Sequence, residues 1–290
     1  MELDKKGWED FISYLETNYS KKTVSCYSYF LKKYLQTYTV CERDVATFIS
    51  SNRNLKPRTL ITYLAAIRKY GRFLQDQGLE KTEDIERVMR IRGPRTEKGV
   101  RHNAKWQLTE EEIEKGLAKL TNPLYWMMFW TGVNYGLRAS EYSKLKLQDV
   151  VLEGDGMLII REGKWNKTRR IPILNDHKPI WKKWLNIRKV MYNVDHDFVF
   201  GHLRGSENEA VITATIMDRF KAISKILYNG EKQLTAHTLR YTFGKRLWRK
   251  GVGNEVVQHL FGHEKLEDTM NYLDIREEES HDRYRAVMEK

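Results

Sequence analysis

Two cysteines, Cys26 and Cys41, are all that this chain of 290 residues contains. They stand far from each other and from any Cys-x-x-Cys or Cys/His spacing. That excludes a disulfide framework and a thiolate metal site, and reads as incidental or buried thiols in a reducing compartment. No apolar run is long enough for a membrane. The longest, Pro123–Val133, falls well short of the roughly 20 residues a spanning helix needs and fits a buried helix instead. The first residues lack an apolar h-region, so secretion is not expected and the cytoplasm is the expected location. No Asp/Glu pair has metal-ligand spacing, so neither metal nor cofactor is implied. Internal repeats and low-complexity tracts are absent as well.

What is present is positive charge. Lys and Arg number 51 against 39 Asp and Glu, a formal charge of +12. Such an excess favours a polyanionic partner, because neutralising phosphates releases condensed counterions. The length suits two domains with sizeable cores.

Residues 1–92 read as helical. Trp8, Phe11, Ile12, Leu15 and Tyr19 follow one helical stripe, and Ser20 caps a second carrying Val24, Tyr27, Leu31, Tyr34 and Leu35. Val45, Phe48 and Ile49 mark a third over 40–50. Pro57 opens a fourth that runs through Leu60, Tyr63, Leu64, Ile67 and Leu74 to Gly78. The polar positions of the fourth include Lys56, Arg58, Arg68, Lys69 and Arg72, either a solvated face or one turned to phosphates. Residues 93–105, with Gly93, Pro94 and Gly99 among many cations, read as a basic linker.

The second domain, 106–290, opens with a capping box, Thr109 and Glu112. Beyond the apolar run comes Gly-Leu-Arg-Ala-Ser-Glu, in which Gly136 turns the chain and places Arg138 at a helix start, one turn from Glu141. A plain Arg138–Glu141 salt bridge is the simpler account of that pair. Residues 150–173 are the β region: a Gly154-Asp155-Gly156 turn, then a second turn over 163–166 that projects Lys164, with Lys167, Arg169 and Arg170 close behind. That basic hairpin is either a charge-protected edge or a groove-entering element. Helices follow at 178–192 and 213–228, separated by a loop at 202–209, and Trp181 and Trp184 read as core. The fold class is mainly α with a small antiparallel β hairpin or sheet in the second domain.

The stretch 234–275 gathers the reactive side chains. His237 and Arg240, three residues apart on one helical face, precede His263, which follows Gly262, and Tyr272 lies nine residues beyond. A cation, two imidazoles and a phenol are what cutting a phosphodiester through a tyrosyl link requires. Among 16 tyrosines Tyr284 is a decoy, and His259 and His281 read as surface.

The order of these boxes over nearly the whole chain resembles the tyrosine recombinase (phage-integrase-type) family, most like its Xer subgroup. Gly-Leu-Arg-Ala-Ser-Glu resembles the first arginine box, His-Thr-Leu-Arg-Tyr-Thr-Phe the His-x-x-Arg box, and Leu-Phe-Gly-His the Gly-His box with its tyrosine at the usual distance. The resemblance implies a helical DNA-clamping domain, a linker and a catalytic domain. It implies phosphate-clamping Arg138 and Arg240, His237 and His263 beside them, Tyr272 as nucleophile and Lys164 as the hairpin lysine, with Lys167 and Arg169 on DNA. Trp165 stands where a glycine is usual, which makes Lys167 a rival to Lys164. Tyr241 replaces a common histidine outside the catalytic set.

The function so implied is site-specific recombination through a 3′-phosphotyrosyl intermediate, for dimer resolution or mobile-element integration, on double-stranded DNA at a specific site. Four protomers would act on two sites, with 277–290 packing on a neighbour. A type IB topoisomerase-like relaxase, a catalytically inactive architectural DNA-binding protein and a metal-dependent nuclease are the competing readings.

Overall fold

The computed structural model describes residues 5–94, 106–161, 168–192, 197–202, 210–275, 279–281, 285 and 288. The expectations for Lys164, Trp165, Lys167, the loop 203–209, Tyr284 and most of 277–290 lie outside them. Two compact units divide the chain, Met1–Arg101 and His102–Lys290, the division falling inside the stretch read as a linker.

The first unit is all helix: α1 (Lys5–Asn18), α2 (Lys21–Leu35), α3 (Glu42–Ser51), α4 (Pro57–Asp76) and α5 (Thr82–Arg90). Ser20 caps α2, its Oγ accepting from the Thr23 amide at 3.3 Å, and Pro57 opens α4. Cys41, expected to be incidental, caps α3: its Sγ accepts from the Asp44 amide at 3.4 Å. Phe11, Leu31, Phe48, Tyr63 and Tyr70 form an aromatic-rich core, with Phe11 edge-on to Tyr70 at 5.0 Å. Each such burial contributes roughly 1.5–3 kcal/mol. The fifth helix lies in the stretch read as helical but was not delimited there; it buries Ile85 and Val88 in that core, with Met89 packed against it. Lys56, Arg58 and Arg72 are exposed. Arg68 is not part of that free face, because its guanidinium donates to the Ile91 carbonyl.

The second unit is built around α7 (Pro123–Tyr135), which follows α6 (Glu110–Lys119). The Thr109–Glu112 capping box forms on both sides at 3.0 and 3.1 Å. Asn122 caps α7 through Oδ1, and Leu124, Met128, Phe129, Val133 and Tyr135 are all but fully buried. A helix apolar all round belongs in the middle of a core, and this one is wrapped on every side. Then come α8 (Ala139–Lys144) and a three-stranded antiparallel sheet in the order β1 (Val150–Val151), β2 (Met157–Ile160), β3 (Arg169–Pro172). Register pairs Leu158 with Ile171 and Ile160 with Arg169. The chain closes with α9 (Lys178–Met191), α10 (Thr213–Tyr228), α11 (Ala236–Arg249), α12 (Asn254–Phe261) and α13 (Leu266–Leu273). Trp181 and Trp184 are core, as expected. Of 277–290, residues 279–281 are helical. No helix among the described residues is long and apolar enough to cross a membrane.

Candidate active site

The site begins where α7 stops. Gly136 adopts φ 61°, the left-handed region a side chain resists, and a Cβ there would come within 2.6 Å of Phe243. The turn it makes sets Arg138 at the N-cap of α8, with Glu141 at the third helical position. The Glu141 carboxylate reaches back to the Arg138 amide at 2.7 Å and takes the Arg138 Nη1 at 2.8 Å. The simple salt bridge is therefore real, but Glu141 does more than cap.

Glu141 is 5 % exposed and stands at the centre of three guanidinium groups. Arg169 donates to it bidentately, Nη1 to Oε1 at 2.7 Å and Nη2 to Oε2 at 2.8 Å, while Arg240 Nη1 lies 4.0 Å away. Burial alone would raise this carboxyl. The hydrogen bonds and charge of Arg169, then the charges of Arg240 and Arg138, hold it at about 2 instead. Arg169, expected on DNA, is thus placed elsewhere: it is 6 % exposed, and its Nε also donates to the Leu260 carbonyl at 2.8 Å. The physical reason is strand alternation, which puts Arg169 on the same buried face as Ile171. That period-2 signal was present in the sequence.

Arg240 reaches the same place from α11. Its guanidinium is 2 % exposed and donates to the Gly136 carbonyl at 2.7 Å and to the Phe261 carbonyl at 2.6 Å. Arg138 Nη2 shares the Phe261 acceptor at 3.3 Å. Arg138 and Arg240 are therefore moored on carbonyls at helix ends, which lack partners within the helix and carry the negative pole of its dipole. Gly262, at φ 62°, ends α12, and its Cα passes so close to Arg169 that a Cβ would lie 3.2 Å from Cδ.

Tyr272, on α13, completes the group. Its ring is half-buried and boxed by His237 (5.1 Å between centroids), Phe261 (5.3 Å), His263 (5.5 Å) and Tyr241 (5.9 Å), all near perpendicular. The phenol donates to the His237 carbonyl at 3.4 Å, and Arg240 Cζ stands 6.0 Å from the ring centre. Burial pushes the phenol above its ordinary value, and the charges of Arg240 and Arg138 counter only part of that rise. His263 Nδ1 is 2.9 Å from the hydroxyl of Thr269, a fully buried side chain. Burial and then the charges of Arg240 and Arg138 lower the imidazole to about 4, so it is neutral at pH 7. Arg138, Arg240 and His237 line a pocket of about 310 Å³ whose far wall includes Met217, Lys221 and Gln233.

Five of the six expected catalytic positions therefore converge; the sixth, Lys164, lies outside the described residues. Three residues outside the expected catalytic set also belong here. Glu141 was read only as a salt-bridge partner of Arg138. Thr269 carries no signal beyond its spacing from His263. Tyr241, set aside earlier, donates its hydroxyl to the Leu273 carbonyl at 3.2 Å, next to Tyr272.

Residues 106–279, more than half the chain, match the phage integrase family. The chain belongs to that family. A relative of this integrase-family chain is the tyrosine recombinase XerA of Pyrococcus furiosus, 29 % identical over 276 residues and covering 92 % of this chain and 88 % of the relative. The same fold occurs in the XerH site-specific recombinase bound to palindromic difH substrate in a post-cleavage complex. That match has a TM-score of 0.69 at 21 % identity, over 99 % of this chain and 85 % of the other. It occurs again in a lambda integrase tetramer bound to a Holliday junction, TM-score 0.71 at 18 % identity, over 94 % and 78 %.

Proposed function

We propose that the protein is a site-specific DNA recombinase that cuts and rejoins strands through a tyrosyl phosphodiester, with Tyr272 as nucleophile. The observation that carries this reading is the convergence of the Tyr272 phenol, two imidazoles and two buried or half-buried guanidinium groups beside one open pocket. A phosphodiester repels nucleophiles, so charge must be neutralised as it builds at phosphorus. Arginine suits that task, since its planar fork keeps its charge and offers paired donors. Arg138 and Arg240 hold the non-bridging oxygens, and removal of one such donor typically costs about 10²–10³-fold in rate. His263, neutral and held by Thr269, adds a hydrogen bond rather than a charge.

The Tyr272 oxygen attacks phosphorus and its proton passes toward His237. The bond to the 5′ oxygen breaks, leaving a 3′-phosphotyrosyl link and a 5′ hydroxyl, whose proton comes from Lys164 or its rival Lys167. The ester energy is kept, so a second strand's 5′ hydroxyl reverses the step without a nucleotide cofactor. Four protomers on two DNA sites complete strand exchange, as the tetrameric relative on a Holliday junction suggests. The action belongs inside the cell, on double-stranded DNA.

The test uses covalent capture. Wild-type protein is incubated with sheared DNA from its own source and with a randomised duplex pool, denatured, and the protein-linked strands are sequenced. A single recurring site linked through Tyr272, absent with Tyr272→Phe, is the expected result. Adducts that persist in Tyr272→Phe, or none with wild type, would overturn the reading. Relaxation of plasmid of any sequence without joining two sites would point to a topoisomerase instead.

A further inference from the structure

We propose that Arg169 is a positioning residue for strand cleavage: by occupying both carboxylate oxygens of Glu141, it holds Arg138 to a single side-chain hydrogen bond and Arg240 beyond hydrogen-bond reach, and leaves their outer donors for the phosphate. This rests on the recombinase reading above and concerns the same site.

The three arginines are used very differently. Arg169 is consumed by the protein: Nη1 and Nη2 bind Glu141 and Nε binds the Leu260 carbonyl. A fork–fork pair of this kind is the strongest geometry open to a guanidinium and a carboxylate. Arg138 gives Glu141 one side-chain hydrogen bond and keeps 27 % of its side chain exposed, and it borders the pocket. Arg240 stands 4.0 Å from Glu141, beyond hydrogen-bond reach, and spends two donors on main-chain carbonyls. Glu141 itself is saturated, each oxygen accepting one bond from Arg169 and one from Arg138.

Remove Arg169 and this balance fails. A buried carboxylate left without its main partner is costly, and the nearest cations are the two that must face the phosphate. Glu141 would recruit them, in a medium where such pairs are strong, and a singly charged diester would have to compete. Arg169 also ties β3 to the end of α12 through Leu260, beside the Phe261 carbonyl that moors both clamp arginines. One side chain thus binds the carboxylate directly and the residue next to the clamp's shared carbonyl.

The experiment uses the full chain and a nicked duplex carrying the site recovered by covalent capture. Arg169→Gln should lower adduct formation at saturating duplex on the order of 100-fold, the usual scale for losing preorganised donors. Duplex affinity should stay within about twofold, and its salt dependence nearly unchanged, because Arg169 itself spends its donors inside the protein and the clamp bears on a single phosphate of the whole duplex. Adding Glu141→Gln should recover about tenfold of the loss, the non-additivity expected within one network. Arg169→Lys, which keeps the charge but not the fork, serves if Arg169→Gln does not fold, and should lose rate with the same salt dependence. The proposal is overturned by additive effects of Glu141→Gln and Arg169→Gln, by full activity of Arg169→Lys, or by a salt slope that falls by about one, the mark of a DNA contact. Absence of any wild-type adduct would sink the recombinase reading rather than this one.

Discussion

Tyr241 donates its hydroxyl to the carbonyl of Leu273, one residue past Tyr272, at 3.2 Å. The two tyrosines sit on different helices, and this bond sets the depth at which α13 meets α11. Tyr241 is almost fully buried, so its bond holds the end of α13 against the core.

Tyr241→Phe should therefore leave the fold intact, at a cost of about 0.5–1.5 kcal/mol, the net value of one neutral hydrogen bond. Adduct formation should fall several-fold while duplex affinity is unchanged. Thermal melting and capture kinetics check both, and unchanged kinetics would remove Tyr241 from the site.

Acid should weaken the protein in two stages. The folded imidazole of His263 lies at about 4, below its ordinary 6.5, so the unfolded chain takes up that proton first. Stability is then full above 6.5 and falls as pH drops toward 4. Glu141 is also depressed, to about 2, so its contribution is present above the ordinary 4.5 and is lost as pH falls through 2. Calorimetric melts should show the midpoint declining from pH 6.5 to 4, and His263→Asn should make that decline shallower, the remainder coming in part from His177, which burial also holds below its ordinary value.

Gly136→Ala should be among the most damaging small changes. Its left-handed φ of 61° costs a Cβ roughly 1–2 kcal/mol, and the 2.6 Å approach to Phe243 adds an overpacking penalty of about 1–3 kcal/mol. Urea unfolding should register the sum, and the adduct rate should fall too, since the Gly136 carbonyl moors Arg240.

The cations of α4 should separate by role. Arg58 is exposed, whereas Arg68 binds the Ile91 carbonyl. Arg58→Gln should reduce the slope of log affinity against log salt by about one if it meets a phosphate. Arg68→Gln should leave that slope alone and lower the melting temperature. Titration over a salt series distinguishes them.

Much of this was readable from residues alone because the signals are local. Pro123 and Gly136 bound the stretch that forms α7, and the spacing of His237 from Arg240 already puts both on one face. What was missed is non-local. Ile85 and Val88 are too few for α5 to announce itself, and they matter only as a lid on helices distant in sequence. Arg169 looked like a groove contact because a run of cations suggests solvent. Its true partner, Glu141, lies 28 residues earlier and neutralises it only once β3 is seated beside α8. Cys41 as a helix cap is the local exception, missed because thiols rarely take that role.

The Phe261 carbonyl accepts from both Arg138 and Arg240. A single oxygen at the tip of one short helix is therefore a shared anchor for the two cations, so the seating of α12 bears on the placement of both. Substitutions on its outward side, at Val256 for instance, would retune how fast strands are traded without touching any group that reacts.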